Sequence, residues 1–100
     1  MNLSKRLLAV AGMVSAGNRL ADIGTDHGYV PIYLVENGIV PSAIAMDVRK
    51  GPLEKAMHNI KVHGLEHLIK TRLSDGLDQL AKNEADTVLI AGMGGALMSR

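Results

Sequence analysis

From Arg19 onward the chain alternates between short apolar runs and longer amphipathic stretches. The apolar runs have the aliphatic and β-branched content of buried strands, and we predict strands at residues 20–23, 43–46, 68–73 and 87–91. Helical spacing predicts helices between them, at 29–36, from 52 to about 62 and, more briefly, from about 77 to 82. This alternation is typical of an α/β fold with a parallel sheet.

The segment before the first strand has two interpretations. Lys5-Arg6 followed by the apolar run 7–14 is similar to the start of a secretory signal. The helical spacing of Leu7, Val10 and Val14, with Ser4 as a capping residue, instead favours an amphipathic helix and therefore a cytoplasmic protein. No apolar run approaches the roughly 18 residues that cross a bilayer, so no membrane-spanning segment is expected.

The composition limits the classes of function that the chain can have. One hundred residues accommodate one small domain, and no repeat or linker divides them. With 47% hydrophobic and 21% charged residues, the chain is globular rather than disordered. The lack of cysteine excludes disulfides, thiolate metal sites and cysteine nucleophiles. A net charge of +1 gives no overall positive field, so any contact with RNA has to be local.

Three histidines close together raise the question of a metal site. Gly64 interrupts the helix between His63 and His67, and no acidic residue stands at a convincing ligand position beside them or His58. We therefore interpret all three as surface histidines and predict no metal.

The sequence after the fourth strand is too short to complete a doubly wound fold. A glycine-rich turn at 92–95 should open another helix, but the few residues that follow cannot repay the cost of nucleating one. We therefore expect a chain that is truncated after the fourth strand. The exposed apolar edge of that strand is a candidate surface for self-association.

Acidic residues and glycines cluster where the predicted strands end. The clusters are Asp22-Ile23-Gly24-Thr25-Asp26-His27-Gly28 after the first strand, Asp47 after the second, Asp75-Gly76 after the third and Gly92-Met93-Gly94-Gly95 after the fourth. Open α/β sheets bind ligands outside the carboxyl ends of their strands. The sequence thus predicts one crevice in which carboxylates face the ligand and the backbone approaches it closely.

The turn after the first strand indicates the charge of that ligand. Asp26 replaces the second glycine of the dinucleotide fingerprint G-x-G-x-x-G. Two unit charges about 4 Å apart interact by roughly 4 kcal/mol near a protein surface, so Asp22 and Asp26 would repel a pyrophosphate and attract an ammonium or sulfonium group. Asp47 lies 23 residues after Gly24, close to the offset of about 20 at which an acidic residue binds ribose hydroxyls. Ribose joined to a positive charge indicates S-adenosylmethionine.

The third strand end extends this hypothesis to the adenine of the cofactor. Asp75 can accept a hydrogen bond from the adenine amino group, and Gly76 lets the ring lie against the backbone. Each motif also has a structural interpretation, with the glycines as turn residues and Asp47 and Asp75 as helix caps. The combination favours cofactor binding over these alternatives. A nicotinamide dehydrogenase is a further alternative, which Asp26 opposes.

The order of these motifs resembles the bacterial TrmK family of S-adenosylmethionine-dependent methyltransferases, which modify N1 of the adenine at position 22 of tRNA. The resemblance covers nearly the whole chain and rests on the segments Leu3-Ser4-Lys5-Arg6-Leu7, 21–34, Asp47-Val48, Gly51-Pro52, 72–77 and 84–95. It implies a Rossmann-like class I methyltransferase fold with parallel strand order 3-2-1-4, truncated after the fourth strand. Residues 1–100 would be a partial S-adenosylmethionine-binding domain.

The strand-end motifs, the chemistry of methyl transfer and the resemblance together indicate which residues form the site. The expected cofactor-binding residues are Asp22, Gly24, Thr25, His27, Gly28, Asp47, Val48, Asp75, Gly76, Gly92, Met93 and Gly94. The expected catalytic residues are Asp26, which stabilises positive charge on the adenine or accepts a proton from its amino group, and Tyr29, which stacks on the extruded base. Tyr33 is expected in the core.

The partner implied by the resemblance is tRNA. Family members continue with further strands and a helical domain implicated in tRNA binding, so tRNA contacts are expected mainly outside these residues. Two other functions stay open. One is a methyltransferase with a small-molecule or protein substrate, and the other is a non-catalytic fragment that binds the cofactor without turnover.

Overall fold

The protein is described here by a computed structural model covering residues 3–90 and the backbone of residues 96–99. Its elements are α1 (Lys5–Ala11), β1 (Leu20–Ile23), α2 (Tyr29–Glu36), β2 (Ala43–Asp47), α3 (Lys50–Val62), β3 (Ile69–Leu73), β4 (Thr87–Ile90) and β5 (Ala96–Ser99). The predicted alternation of strands and helices is confirmed, and most boundaries agree within two residues.

The strands form one sheet in the order β3-β2-β1-β4-β5. β1 is parallel to both of its neighbours, with Leu20 opposite Ala43 of β2 and Thr87 of β4. β2 and β3 are also parallel, which confirms the predicted order 3-2-1-4 and the Rossmann-like arrangement. Because β1 is central, its carboxyl end lies between those of β2 and β4, at the edge where such sheets bind ligands.

The N-terminal segment is the predicted helix. The Ser4 hydroxyl oxygen accepts a hydrogen bond from the Leu7 N–H at 3.2 Å, as an N-cap does, and α1 buries Val10 and Ala11. α1 packs against α2 and joins its apolar cluster. Over the part of the chain that is described, no helix is long and apolar enough to cross a membrane.

Each face of the sheet carries its own apolar cluster, because successive residues of a strand point to opposite faces. One cluster contains buried residues of all three helices together with alternate strand residues such as Leu20, Ala45 and Leu89. The other contains Ala21, Ile44, Met46 and Val88 and is covered by the segment between β3 and β4. Asp22 follows Leu20 by two positions and therefore faces the helices.

The prediction of a helix at 77–82 is wrong, because this segment consists of turns. Side chains bind the backbone groups that a helix would have paired. Arg72 donates to the Gln79 carbonyl at 2.9 Å, Glu84 accepts from the Ala81 N–H at 2.9 Å, and the Ser74 hydroxyl accepts from the Gln79 N–H at 3.1 Å. The segment still covers the sheet, because Leu80 is buried in the second cluster.

The backbone beyond β4 pairs with the strand edge that we expected to be exposed. β5 is antiparallel to β4, with Ala96 opposite Ile90 and Ser99 opposite Thr87. Residues 91–95, and with them the predicted site residues Gly92, Met93 and Gly94, lie outside the described part of the structure. Self-association through a sheet edge stays a prediction.

Candidate functional site

The site is built around Asp22 on the central strand. Its side chain is 1% exposed, and the Thr25 hydroxyl donates a hydrogen bond to Asp22 Oδ2 at 2.9 Å. The other carboxylate oxygen, Oδ1, is buried and has no hydrogen-bond partner among the described residues. Buried polar atoms are nearly always paired in proteins, so an unpaired carboxylate oxygen marks a place where a ligand donor can bind.

The surroundings of Asp22 disfavour its charged form. The pKa of Asp22 is raised to about 7, chiefly by burial and to a smaller extent by the nearby charge of Asp47, while the hydrogen bond from Thr25 acts in the opposite direction. A cation bound at Oδ1 would remove this disadvantage and favour the ionised carboxylate.

The turn after β1 is tied to the neighbouring strand. The N–H groups of Gly24 and Thr25 both donate to the Met46 carbonyl, at 2.9 and 2.8 Å. Gly24 and Gly28 have φ values of 75° and 78°, a region that glycine enters without strain, and Asp26 has a φ of 57°. The turn therefore projects Asp26 outward in a conformation that an ordinary residue rarely adopts.

Asp47, at the end of β2, binds the backbone of this turn through its side chain. It is 2% exposed, and its Oδ2 accepts a hydrogen bond from the Asp26 N–H at 3.1 Å. Its Oδ1 accepts from the Arg49 N–H at 2.9 Å, and Arg49 Nε lies 3.5 Å away. Oδ2 has one donor and a second lone pair, so it can accept a further donor, whereas Oδ1 already has both Arg49 nitrogens beside it. The local capping role and ligand binding are thus compatible at Asp47.

A cavity of about 160 Å³ lies between α1 and the turn. It is lined by Arg6, Leu7, Val10, Asp22, Gly24, Thr25, Asp26, Tyr29, Val30 and Arg49. The structure therefore brings together five of the predicted site residues. Our sequence analysis missed Arg49, although its position two residues after Asp47 is the spacing at which an aspartate binds the backbone of a following residue.

His27 and Tyr29 form the outer wall of the site. Their rings stack with centroids 5.4 Å apart and an interplanar angle of 12°. His27 Nδ1 lies 3.1 Å from Asp26 Oδ1, and the Asn59 side chain donates to the His27 carbonyl at 2.9 Å. Both rings line a second cavity of about 420 Å³ beside α3, while Tyr29 also lines the first. His27 thus lies behind Tyr29 rather than in the first cavity.

The remaining predicted residues lie at the ends of β2 and β3. Val48 is 60% exposed directly after Asp47, and Asp75 is exposed directly before Gly76, whose φ is 58°. Leu73, which we did not predict, is 51% exposed at the end of β3 and lines an apolar recess with Leu53 and Met57. The sequence signal for this recess was the position of Leu73 at the end of the predicted third strand, two residues before Asp75.

The histidines outside the turn are surface residues, as predicted. His58 and His67 are exposed, and His63 Nδ1 lies 2.7 Å from Glu36 Oε2, joining the ends of α3 and α2. Within the described residues there is no group of three or more histidine, cysteine, aspartate or glutamate side chains that could hold a metal ion.

Comparison with known proteins identifies the family. The Methyltransferase domain family matches residues 3–100. The chain belongs to this methyltransferase family. The family match agrees with the sheet order and with the position of the cavity that Asp22 and Asp26 line at the carboxyl end of β1.

Individual relatives of this methyltransferase domain confirm the resemblance to TrmK. The chain is 44% identical, over 99% of its length, to the tRNA (adenine(22)-N(1))-methyltransferase of Bacillus subtilis, of which it covers 42%. The solved TrmK of M. capricolum, in complex with S-adenosyl-homocysteine, has a TM-score of 0.76 and 44% identity, over 82% of this chain and 36% of that one.

A third relative is Streptococcus pneumoniae Sp1610, solved in complex with S-adenosyl-L-methionine. It has a TM-score of 0.83 and 43% identity, over 87% of this chain and 41% of that one. The chain therefore spans less than half the length of each of these three relatives.

Proposed function

We propose that this methyltransferase domain binds S-adenosylmethionine and is the cofactor-binding part of an enzyme that methylates N1 of an adenine in tRNA. The observation that carries the proposal is Asp22 Oδ1, a buried carboxylate oxygen without a partner in a cavity that also contains Asp26. A cationic ligand satisfies both groups. The relatives named for tRNA methylation, and those solved with the cofactor or its product, support the same assignment.

The residues present fit the cofactor at several points. Asp22 would accept from the ammonium group, Asp47 would accept from the ribose hydroxyls through Oδ2 and in place of the long Arg49 Nε contact at Oδ1, and Asp75 with Gly76 would contact the adenine. Thr25 holds the Asp22 carboxylate in orientation. Once bound, the cofactor supplies a methyl group on a positively charged sulfur. Gly24, Gly28 and Val48, together with Gly92, Met93 and Gly94 outside the described residues, complete the proposed binding set.

Asp26 and Tyr29 are the proposed catalytic residues. N1 of a neutral adenine has a free lone pair, so the enzyme needs no base to deprotonate it before attack. The adenine becomes positively charged as the methyl group arrives, and the Asp26 carboxylate, 59% exposed at the mouth of the cavity, would stabilise that charge. Tyr29, 40% exposed, would stack on the extruded base.

The partner and the compartment follow from the reaction. A tRNA substrate is proposed for a protein that carries this domain, and the near-neutral charge of these residues leaves most of the tRNA affinity to other parts of such a protein. A tRNA-modifying enzyme of this class would work in the cytoplasm, as the sequence analysis predicts.

Labelled S-adenosylmethionine and unmodified tRNA test the proposal. The natural gene product that contains these residues is incubated with both, beside a matched tRNA in which guanine replaces the adenine at position 22. We expect label in the first tRNA, recovered as 1-methyladenosine, and none in the second. Label in neither tRNA, with cofactor bound, would leave a methyltransferase for another substrate or a non-catalytic binding domain.

A further inference from the structure

His27 contacts both of the proposed catalytic side chains. Its Nδ1 lies 3.1 Å from Asp26 Oδ1, within the distance at which an imidazolium and a carboxylate form an ion pair. Its ring also stacks almost parallel on the ring of Tyr29, with centroids 5.4 Å apart. One imidazole therefore joins a carboxylate and an aromatic ring that the reaction needs in fixed relative positions.

The backbone on either side of this imidazole is fixed to two other elements. The Asn59 side chain on α3 donates to the His27 carbonyl at 2.9 Å, and Asp47 at the end of β2 accepts from the Asp26 N–H at 3.1 Å. Gly28 packs closely on α3, since a Cβ built there would lie 3.1 Å from Ala56 Cβ. The backbone that carries the His27 ring is therefore held in place by contacts with the end of β2 and with α3.

The two catalytic side chains have little else to hold them. Asp26 is 59% exposed, and in residues 3–90 the only side chain that pairs with its carboxylate is His27. Tyr29 is 40% exposed and its ring stacks on His27. Exposed side chains sample several rotamers unless neighbours restrict them, and a displacement of about 1 Å at a reacting centre can lower a rate by roughly 100-fold.

We propose that His27 is a positioning residue, which orients the Asp26 carboxylate and the Tyr29 ring for methyl transfer. This inference rests on the proposed function, and it changes the role expected for His27 from binding the cofactor to positioning the groups that face the adenine. Because the imidazole acts through its neighbours, its loss should lower kcat and leave the KM for the cofactor nearly unchanged.

Two substitutions separate the two contacts. His27→Phe keeps a ring that can stack on Tyr29 but removes the nitrogen beside Asp26. His27→Asn keeps a side-chain N–H near the position of Nδ1 but removes the ring. His67→Phe and His67→Asn are the matched controls, because His67 is an exposed histidine on the loop after α3, away from the turn. Thermal unfolding of each variant checks that the fold is retained.

The kinetic experiment uses the natural gene product with tRNA and S-adenosylmethionine. We expect both His27 variants to reduce kcat about 10- to 100-fold, with the KM for the cofactor changed less than about threefold, and both His67 variants to match the wild type. Wild-type kcat in either His27 variant would overturn the inference. A rise of the cofactor KM without loss of kcat would overturn it as well, because it would return His27 to cofactor binding.

A spectroscopic measurement keeps the inference testable if the wild type does not methylate tRNA. The chain contains two tyrosines and neither tryptophan nor phenylalanine. In a Tyr33→Phe background, Tyr29 is therefore the one tyrosine of residues 1–100 that contributes to the near-ultraviolet circular dichroism spectrum. In that background we expect His27→Asn to weaken the tyrosine band by about half or more and His27→Phe to preserve it. An unchanged band in His27→Asn would contradict the positioning of Tyr29 by His27, whatever the outcome for the proposed function.

Discussion

Asp22 is a carboxylate in surroundings that disfavour its charge. Burial is the main reason that its pKa is raised to about 7, so at neutral pH the ionised form of Asp22 is less favourable in the folded protein than in the unfolded chain. A core position of this kind would be filled more stably by a neutral side chain of the same shape. A carboxylate at this position is explained if it binds a cation, because binding then requires a charge that lowers the stability of the folded protein.

Asp22→Asn should therefore increase stability at high pH. The pKa in the folded state, about 7, lies above the ordinary value of 3.8, so the folded protein binds the proton more tightly and stability falls as the pH rises from about 4 to about 7. We expect the variant to gain about 2 to 4 kcal/mol relative to wild type between pH 4 and pH 8, measured by urea unfolding. Asp78→Asn, at an exposed position, is the control and should show no such gain.

The sequence predicted the chemistry of single positions better than their partners. Asp22, Gly24, Thr25, Asp26 and Tyr29 share the cavity, as the strand-end argument expected. The stacking of His27 on Tyr29 and the contact between His27 and Asp26 depend on rotamers and on φ values, such as that of Asp26, which no spacing rule specifies. The contacts of side chains that share one turn are therefore visible only in the structure.

Among the elements, the start of α2 depends on a close contact with α3. Gly28 is its N-cap, with a φ of 78°, and a Cβ there would lie 3.1 Å from Ala56 Cβ. Gly38, after α2, has a φ of 69° and nothing within 4 Å of a Cβ. The two glycines share the backbone requirement and differ in the space around them.

Gly28→Ala and Gly38→Ala separate these two effects. Both variants should lose about 1 kcal/mol because alanine is strained at positive φ, and Gly28→Ala should lose a further 1 kcal/mol or so because the turn or α3 has to move. Equilibrium unfolding in urea measures both losses. Equal losses of stability in the two variants would show that α3 can shift without destabilising the protein and that its contact with Gly28 does not fix the turn.

The segment between β3 and β4 shows where periodicity fails as a guide to secondary structure. Leu77 and Leu80 have helical spacing, and both pack on the sheet as a helix would place them. The backbone nevertheless forms turns, because Arg72 and Glu84 bind it from β3 and from the far end of the segment. The hydrophobic spacing correctly predicted which residues are buried. The backbone conformation is determined by hydrogen bonds from side chains that lie far away in the sequence.

Glu84→Gln tests that long-range support. Two hydrogen bonds with Arg72, at 2.6 and 2.7 Å, and the Ala81 N–H lower the pKa of Glu84 to about 2. This contribution to stability is therefore complete above about pH 4.5 and disappears as the pH falls towards 2. We expect the variant to be about 1 kcal/mol less stable than wild type at pH 7 and equal to it near pH 2. Glu66→Gln, at an exposed position, should show no pH-dependent difference.

For the whole molecule, the order of elements was sufficient to predict the architecture. Alternating strands and helices with short connections allow few topologies, and the observed sheet places β1 at its centre, as expected. The pairing of β5 with β4 was not predicted, because the glycine-rich sequence after the fourth strand suggested the start of a helix. The central position of β1 brings Asp22, Asp26 and Asp47 together, and these three carboxylates are the basis of the proposed cofactor specificity.

Calorimetric titration of S-adenosylmethionine at pH 8 into the wild type and Asp22→Asn tests that specificity most directly, with NADH as the comparison ligand. We expect the wild type to bind S-adenosylmethionine, the variant to bind it at least about tenfold more weakly because a charged hydrogen bond is lost, and neither to bind NADH. Equal affinity of both proteins for S-adenosylmethionine, or tight binding of NADH by the wild type, would contradict the account.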